Sequence, residues 1–200
     1  MPIVLLRLKN PQLLQDERPP QCPYCGSITF QRWGQAARDL QDTRPINTIV
    51  YRYYCNQCGR TFRHYPEGMD RSPLSIRIRR LAALIWVMDL SVRDVVDVFD
   101  ELGVSMNRMT VWREGQKLID ELNNRKLITS RKRYTIDKSS DLYQRPEGSV
   151  VLAIGLEPGK IAVLGTLNTT NPSEVVSWLR PLMEEFEIDI SSLATKEFTD

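Results

Sequence analysis

The chain has no apolar run approaching the roughly 18 residues that cross a bilayer, and this excludes a helical membrane protein. It has no internal repeat and no low-complexity segment. Its opening, Met-Pro-Ile-Val-Leu-Leu-Arg-Leu-Lys, lacks the pattern of a signal peptide, so the expected setting is the reducing cytoplasm, where disulfides do not persist. Histidine is nearly absent. The one example, His64, lies six residues past Cys58 and reads as a surface residue rather than a ligand. Cysteine is scarce too, with four in 200 residues, and their arrangement is the most informative feature of the chain.

Cys22-Pro-Tyr-Cys25 and Cys55-Asn-Gln-Cys58 form two C-x2-C pairs, each followed by a glycine, and no cysteine is left over. A redox motif needs only one such pair. Two pairs can present four thiolates tetrahedrally to one ion, so Cys22, Cys25, Cys55 and Cys58 read as the ligands of a structural zinc ion in a zinc ribbon. The pairs are separated by 29 residues, Gly26 to Tyr54, a gap that suits a ribbon in which each knuckle belongs to a β-hairpin. Gly26 and Gly59 fit the tight turns around a metal, where positive φ is favoured.

Charge is divided along the chain. Residues 1–135 carry 22 Lys and Arg against 14 Asp and Glu, whereas residues 136–200 carry 5 against 11. A basic front and an acidic back point to a polyanion, such as nucleic acid, as the partner of the front part.

The pattern divides the chain into a lead-in (1–20), a zinc ribbon (21–70), a helical domain (71–130) and a mixed α/β part (131–200), an α+β multi-domain protein. In the ribbon, strands are expected over Ile28–Trp33, Thr48–Tyr54 and Thr61–Arg63, with Gln35–Asn47 as a polar loop. After Pro73, Leu74, Ile78, Leu81, Ile85 and Met88 recur at helical spacing. Ser91 is the expected N-cap of a second helix that Gly103 ends, and Ser105 that of a third. Helix, helix, short glycine turn, helix is the layout of a helix-turn-helix domain.

The third helix would bury Val111, Gly115, Leu118, Ile119 and Leu122 and turn Thr110, Arg113 and Lys117 outward. Asn107 and Arg108 fall in its first turn, where recognition helices touch base edges. Arg can bind guanine and Asn adenine bidentately, which makes Asn107, Arg108, Thr110, Arg113 and Lys117 the candidate DNA-binding residues. Met109 and Trp112 are expected to pack against neighbouring helices. Arg131-Lys132-Arg133 is a further basic segment. The last part reads as a strand over Tyr134–Asp137, a hairpin of Val150–Ile154 and Ile161–Leu167, and a helix capped by Asn171, with Pro172 first, Glu174 third and a kink at Pro181.

A zinc ribbon, a helix-turn-helix and then strand, hairpin, helix and strand resembles the amino-terminal part of a bacterial insertion-sequence transposase of the DDE class. The resemblance runs from Cys22 nearly to the end and is sharpest in Cys-Pro-Tyr-Cys-Gly, Tyr-Cys-Asn-Gln-Cys-Gly-Arg-Thr-Phe and Thr-Val-Trp-Arg. It implies a ribonuclease-H-like domain, here truncated, with catalytic aspartates at Asp137 and Asp200; Asp141 competes for the first position. Such carboxylates hold two metal ions, usually Mg2+, so Mg2+ is implied only if the catalytic domain is completed. The family's third acidic residue would lie downstream of Asp200, and the chain alone is therefore not expected to be an enzyme. The resemblance implies sequence-specific DNA binding by a truncated or repurposed transposase that recognises transposon ends. The partners would be double-stranded DNA, and a second copy of the chain or a full-length transposase. Two alternatives stay open: a portion of an active DDE transposase catalysing strand transfer, and a protein-interaction module.

Overall fold

The structure is a computed structural model that describes residues 2–8, 18–124, 136–137, 149–156, 160–183 and 188–194. These form four helices and two sheets in two compact units, one comprising residues 1–10 and 77–200 and the other residues 11–76. Among the described residues no helix is long and apolar enough to cross a membrane.

The first strand, β1 (Pro2–Leu8), corrects the reading of residues 1–20 as a lead-in. Val4, Leu5, Leu6 and Leu8 are fully buried, and a near-continuous apolar run is what a strand covered on both faces requires. Pro2 sits at the first residue of the strand, where a missing N–H is tolerated. The partners of β1 lie far away in sequence, which is why local pattern does not reveal it.

The second unit is a three-stranded antiparallel sheet in the order β2 (Phe30–Leu40), β3 (Ile46–Cys55), β4 (Thr61–His64). The expected polar loop over Gln35–Asn47 is mostly strand: β2 pairs with β3 down to Leu40 opposite Ile46, leaving residues 41–45 as the connection. Leu40, Ile46, Val50 and Met69 form a small core on one face of this end, so the exposed stretch before Leu40 is held extended by its terminal anchor and its ladder. At the other end the opposite face is buried, where Phe30, Tyr53 and Phe62 pack with Cys22 and Cys55. Their rings lie 5.5–5.6 Å apart. The sheet therefore changes its buried side along β3.

Three helices follow: α1 (Ile76–Val87), α2 (Val92–Glu101) and α3 (Arg108–Asn124). Ser91 caps α2 as expected, its Oγ accepting from the Asp94 N–H at 3.2 Å and donating to the Asp94 carboxylate at 2.6 Å. Gly103 (φ 85°) ends the helix: its N–H bonds the Asp100 carbonyl and the Val104 N–H bonds the Phe99 carbonyl, the paired bonds of a Schellman ending. The third helix starts later than Ser105 implies. Asn107 is its cap, the side-chain oxygen accepting from the Met109 N–H at 2.8 Å, because the buried Met106 holds the preceding residues in the core.

Helix α3 is clamped to α1 by a buried Arg79–Glu114 ion pair at 2.9 Å and a second pair, Arg80–Glu121, at 2.9 Å. Between them the Trp86 ring lies against Gly115, so close that an added Cβ would sit 2.1 Å from it.

The remaining elements are β5 (Ile136–Asp137), β6 (Val150–Leu156), β7 (Lys160–Leu167), α4 (Pro172–Met183) and β8 (Ile188–Ala194). The sheet runs β5-β7-β6-β1-β8. Strand β1 is parallel to β6 and antiparallel to β8, while β6 and β7 form the expected hairpin. The strand of Asp137 is thus not the first of its sheet but an edge, paired antiparallel with β7. Asn171 caps α4, its oxygen accepting from the Ser173 N–H at 3.1 Å. Val175 and Leu179 are fully buried in this helix, and α4 packs on β8 and β1, running through Pro181 to Met183.

A four-cysteine centre and the outer face of the third helix

Each C-x2-C pair is a knuckle built from backbone. In the first, the Cys22 N–H bonds the Ser27 carbonyl and the Gly26 N–H bonds the Cys22 carbonyl, with Gly26 at φ 72°. The second repeats the scheme: the Cys55 N–H bonds the Arg60 carbonyl, the Gly59 N–H bonds the Cys55 carbonyl, and Gly59 has φ 69°. Non-glycine residues rarely adopt that conformation, which explains the glycine after each second cysteine.

The knuckles bring all four sulfurs within 4.8 Å of one another. Cys22 Sγ lies 3.8 Å from Cys58 Sγ, and Cys25 Sγ 3.6 Å from Cys55 Sγ. Four thiolates each about 2.3 Å from a central ion define a tetrahedron with edges of about 3.8 Å, so the spacing fits a tetrahedral metal ion of zinc's size. Acid–base behaviour agrees. The amide of Cys58, with that of Gln57 and the neighbouring thiols, draws Cys55 down to about 6 against desolvation. At Cys25 the Ser27 amide likewise pulls the group down, yet desolvation and the other three thiols push it up to about 12. Four thiols this close cannot all ionise without a cation among them, which a bound metal ion would supply. Among the described residues this is the one group of three or more His, Cys, Asp or Glu side chains able to hold an ion. His64 is on β4, paired with Tyr51, and is outside that group.

The candidate DNA-binding residues run from the cap of α3, Asn107, to Lys117 in its third turn. Arg108, Arg113 and Lys117 are exposed and Thr110 is partly so, while Val111, Gly115, Leu118 and Leu122 are buried as the helical period requires. Asn107 is exposed, but its oxygen is engaged in the cap, which removes half of a bidentate adenine contact. Lys117 reaches Glu114 at 2.9 Å, and Glu114 is itself turned to Arg79. Sequence pattern misassigned two neighbours: Met109 is 50% and Trp112 46% exposed, so neither is packed in the core. Trp112 stands one turn from Arg108, on the basic side of α3. Size and apolarity suggested burial, and the spacing from Arg108 was the signal that could have corrected it.

Of the candidate catalytic residues the structure describes only the backbone of Asp137. Asp137 is placed by its backbone opposite Thr166, whereas Asp141 and Asp200, like Arg131-Lys132-Arg133, lie outside the described residues. No protein-family model, curated protein or solved structure matches the chain.

Proposed function

We propose that this protein binds duplex DNA sequence-specifically through α3, as a helix-turn-helix protein stabilised elsewhere by a structural zinc ion, and that it is a truncated or repurposed relative of DDE transposases recognising element ends. One observation carries the reading: within residues 108–117 the single acidic side chain, Glu114, is held between Arg79 and Lys117, so the outer face presents Arg108 and Arg113, with Trp112 and Met109 exposed beside them and Lys117 one edge further on. A cationic face with few competing acids suits phosphate and base-edge contacts. Gly103 ends α2, and after the short turn Asn107, Arg108, Met109, Trp112 and Arg113 are exposed in the N-terminal turns of α3. The four-thiolate donor set and its spacing favour zinc, the usual occupant of such sites.

Selection of duplexes from a random library should enrich a defined site. Arg113→Ala should weaken binding to that site by roughly 1–3 kcal/mol and relax its sequence preference if Arg113 reads a base. Failure to enrich any site, or equal affinity of the variant, contradicts the proposal.

A further inference from the structure

A second surface, in the unit of residues 11–76, has the chemistry of a stacking platform. Along the antiparallel ladder Gln31 faces Tyr54 and Thr61, and Gly34 faces Arg52 and Arg63. Residues directly opposite in such a ladder project from the same side, so Gln31, Tyr54, Thr61, Arg52 and Arg63 share one face. The register shift between Arg32 and Gly34 inserts Trp33 as an extra residue, and its ring turns to this face, 5.2 Å from that of Tyr54. Burial lies on the other side here, where Tyr53, Phe30 and Phe62 pack beside the cysteines. Trp33 is left 59% exposed, the most exposed aromatic side chain of the described residues.

Charge on this face has one sign. Arg38, Arg52 and Arg63 are on it, and the one acidic residue in the three strands, Asp39, projects from the opposite side, where it accepts from Asn47 Nδ2 at 2.8 Å. Arg52 is braced by its bond to Thr61 Oγ1 at 2.8 Å. Residues 18–65 as a whole hold seven arginines against Asp39 and Asp42. An apolar partner would leave these guanidinium groups unmatched, and a duplex buries its bases away from a protruding indole. An unpaired strand offers both an aromatic base face and a regular anionic backbone.

We infer that the Trp33–Tyr54 face binds single-stranded DNA, with one or more bases stacked on Trp33 and Tyr54 and the backbone held by Arg52 and Arg63. This site belongs to the other unit of the chain from α3 and does not depend on the α3 reading. Within one strand, Tyr54 and Arg52 are about 6.8 Å apart, so a stacked base and its phosphate can be met by successive same-face positions.

The test uses the full, metal-loaded chain and fluorescence anisotropy with a labelled oligothymidine and, separately, a labelled duplex. Trp33→Ala should weaken oligothymidine binding roughly tenfold or more, and Trp33→Phe should restore most of it, because stacking is sequence-tolerant and needs only a π-face. Arg52→Ala with Arg63→Ala should lower the salt slope for the single strand by about 1.4, two lost phosphate contacts at roughly 0.7 each. Bound metal at the wild-type ratio shows that each variant keeps its fold. Oligothymidine binding that is absent at low salt, or unchanged in Trp33→Ala, overturns the inference, whatever the duplex arm shows. Loss of duplex binding in Arg113→Ala with single-strand binding intact separates this face from α3.

Discussion

At the scale of single residues, two positions decide how α3 is held. Gly115 is in mid-helix, where alanine is ordinarily better by about 1 kcal/mol. Here the sign reverses, because a Cβ would sit 2.1 Å from Trp86 Cε3 and 2.5 Å from Cζ3, and a ring seated between two helices has no cheap way to move. Gly115→Ala should therefore lower stability by about 1–3 kcal/mol, seen as a reduced midpoint in thermal or urea unfolding. Placing the same change in a Trp86→Leu background should shrink the penalty, and an equal penalty in both backgrounds contradicts this account of the contact. Glu114 is the second such residue. By pairing with Arg79 it ties α3 to α1, and the same oxygen also accepts from Lys117, so the negative charge of Glu114 is shared between the two cations.

At the scale of elements, the ribbon and the helices differ in what stabilises them. The ribbon has two small aromatic and aliphatic clusters on opposite faces of a three-stranded sheet, too little apolar burial to hold residues 18–66 without help. Metal binding of such sites contributes about 10–16 kcal/mol at neutral pH, enough to decide folding. Chelation, or Cys55→Ser, should unfold this sheet and leave the helical signal of α1–α4 largely in place. Circular dichroism with metal analysis checks this, and loss of the helical signal together with the metal contradicts it.

The elements also show what the sequence discloses. The cysteine pairs, the Ser91 and Asn171 caps and Gly103 were legible because each rests on chemistry within a few residues. Strand β1 was hidden because its ladder joins residues 3–8 to 151–156 and 188–193, and nothing local distinguishes an apolar segment that finds such partners from one that does not. The polar second half of β2 was hidden for the complementary reason, since β3 and the Leu40 anchor override its composition. Trp112 was misread because helical period fixes the buried arc but not which residues at its border stay outside. The carboxylate pair implied by the resemblance cannot be read from one strand, and Asp137 alone defines no site.

At the scale of the whole molecule, the basic front and acidic back of the sequence acquire a structural meaning. Within residues 18–124, Arg108 and Arg113 lie exposed on α3 and Arg52 and Arg63 on the Trp33 face of the ribbon, while acids such as Glu114, Glu121 and Asp94 serve ion pairs or caps. The described residues of the acidic back, 136–194, are mainly sheet and helix, with β6 and Val175 buried beside β1. Duplex binding through α3 is thus an electrostatic proposal before it is a sequence-reading one. Its most direct measurement is the dependence of duplex affinity on salt, for the wild-type chain and for Arg108→Ala, Arg113→Ala and Lys117→Ala combined. Each phosphate contact contributes about 0.9 to the slope of log affinity against log salt on B-form DNA, so the account predicts a slope shallower by up to about 2.7 and weaker binding at every salt concentration. An unchanged slope with unchanged affinity would show that α3 does not meet the DNA.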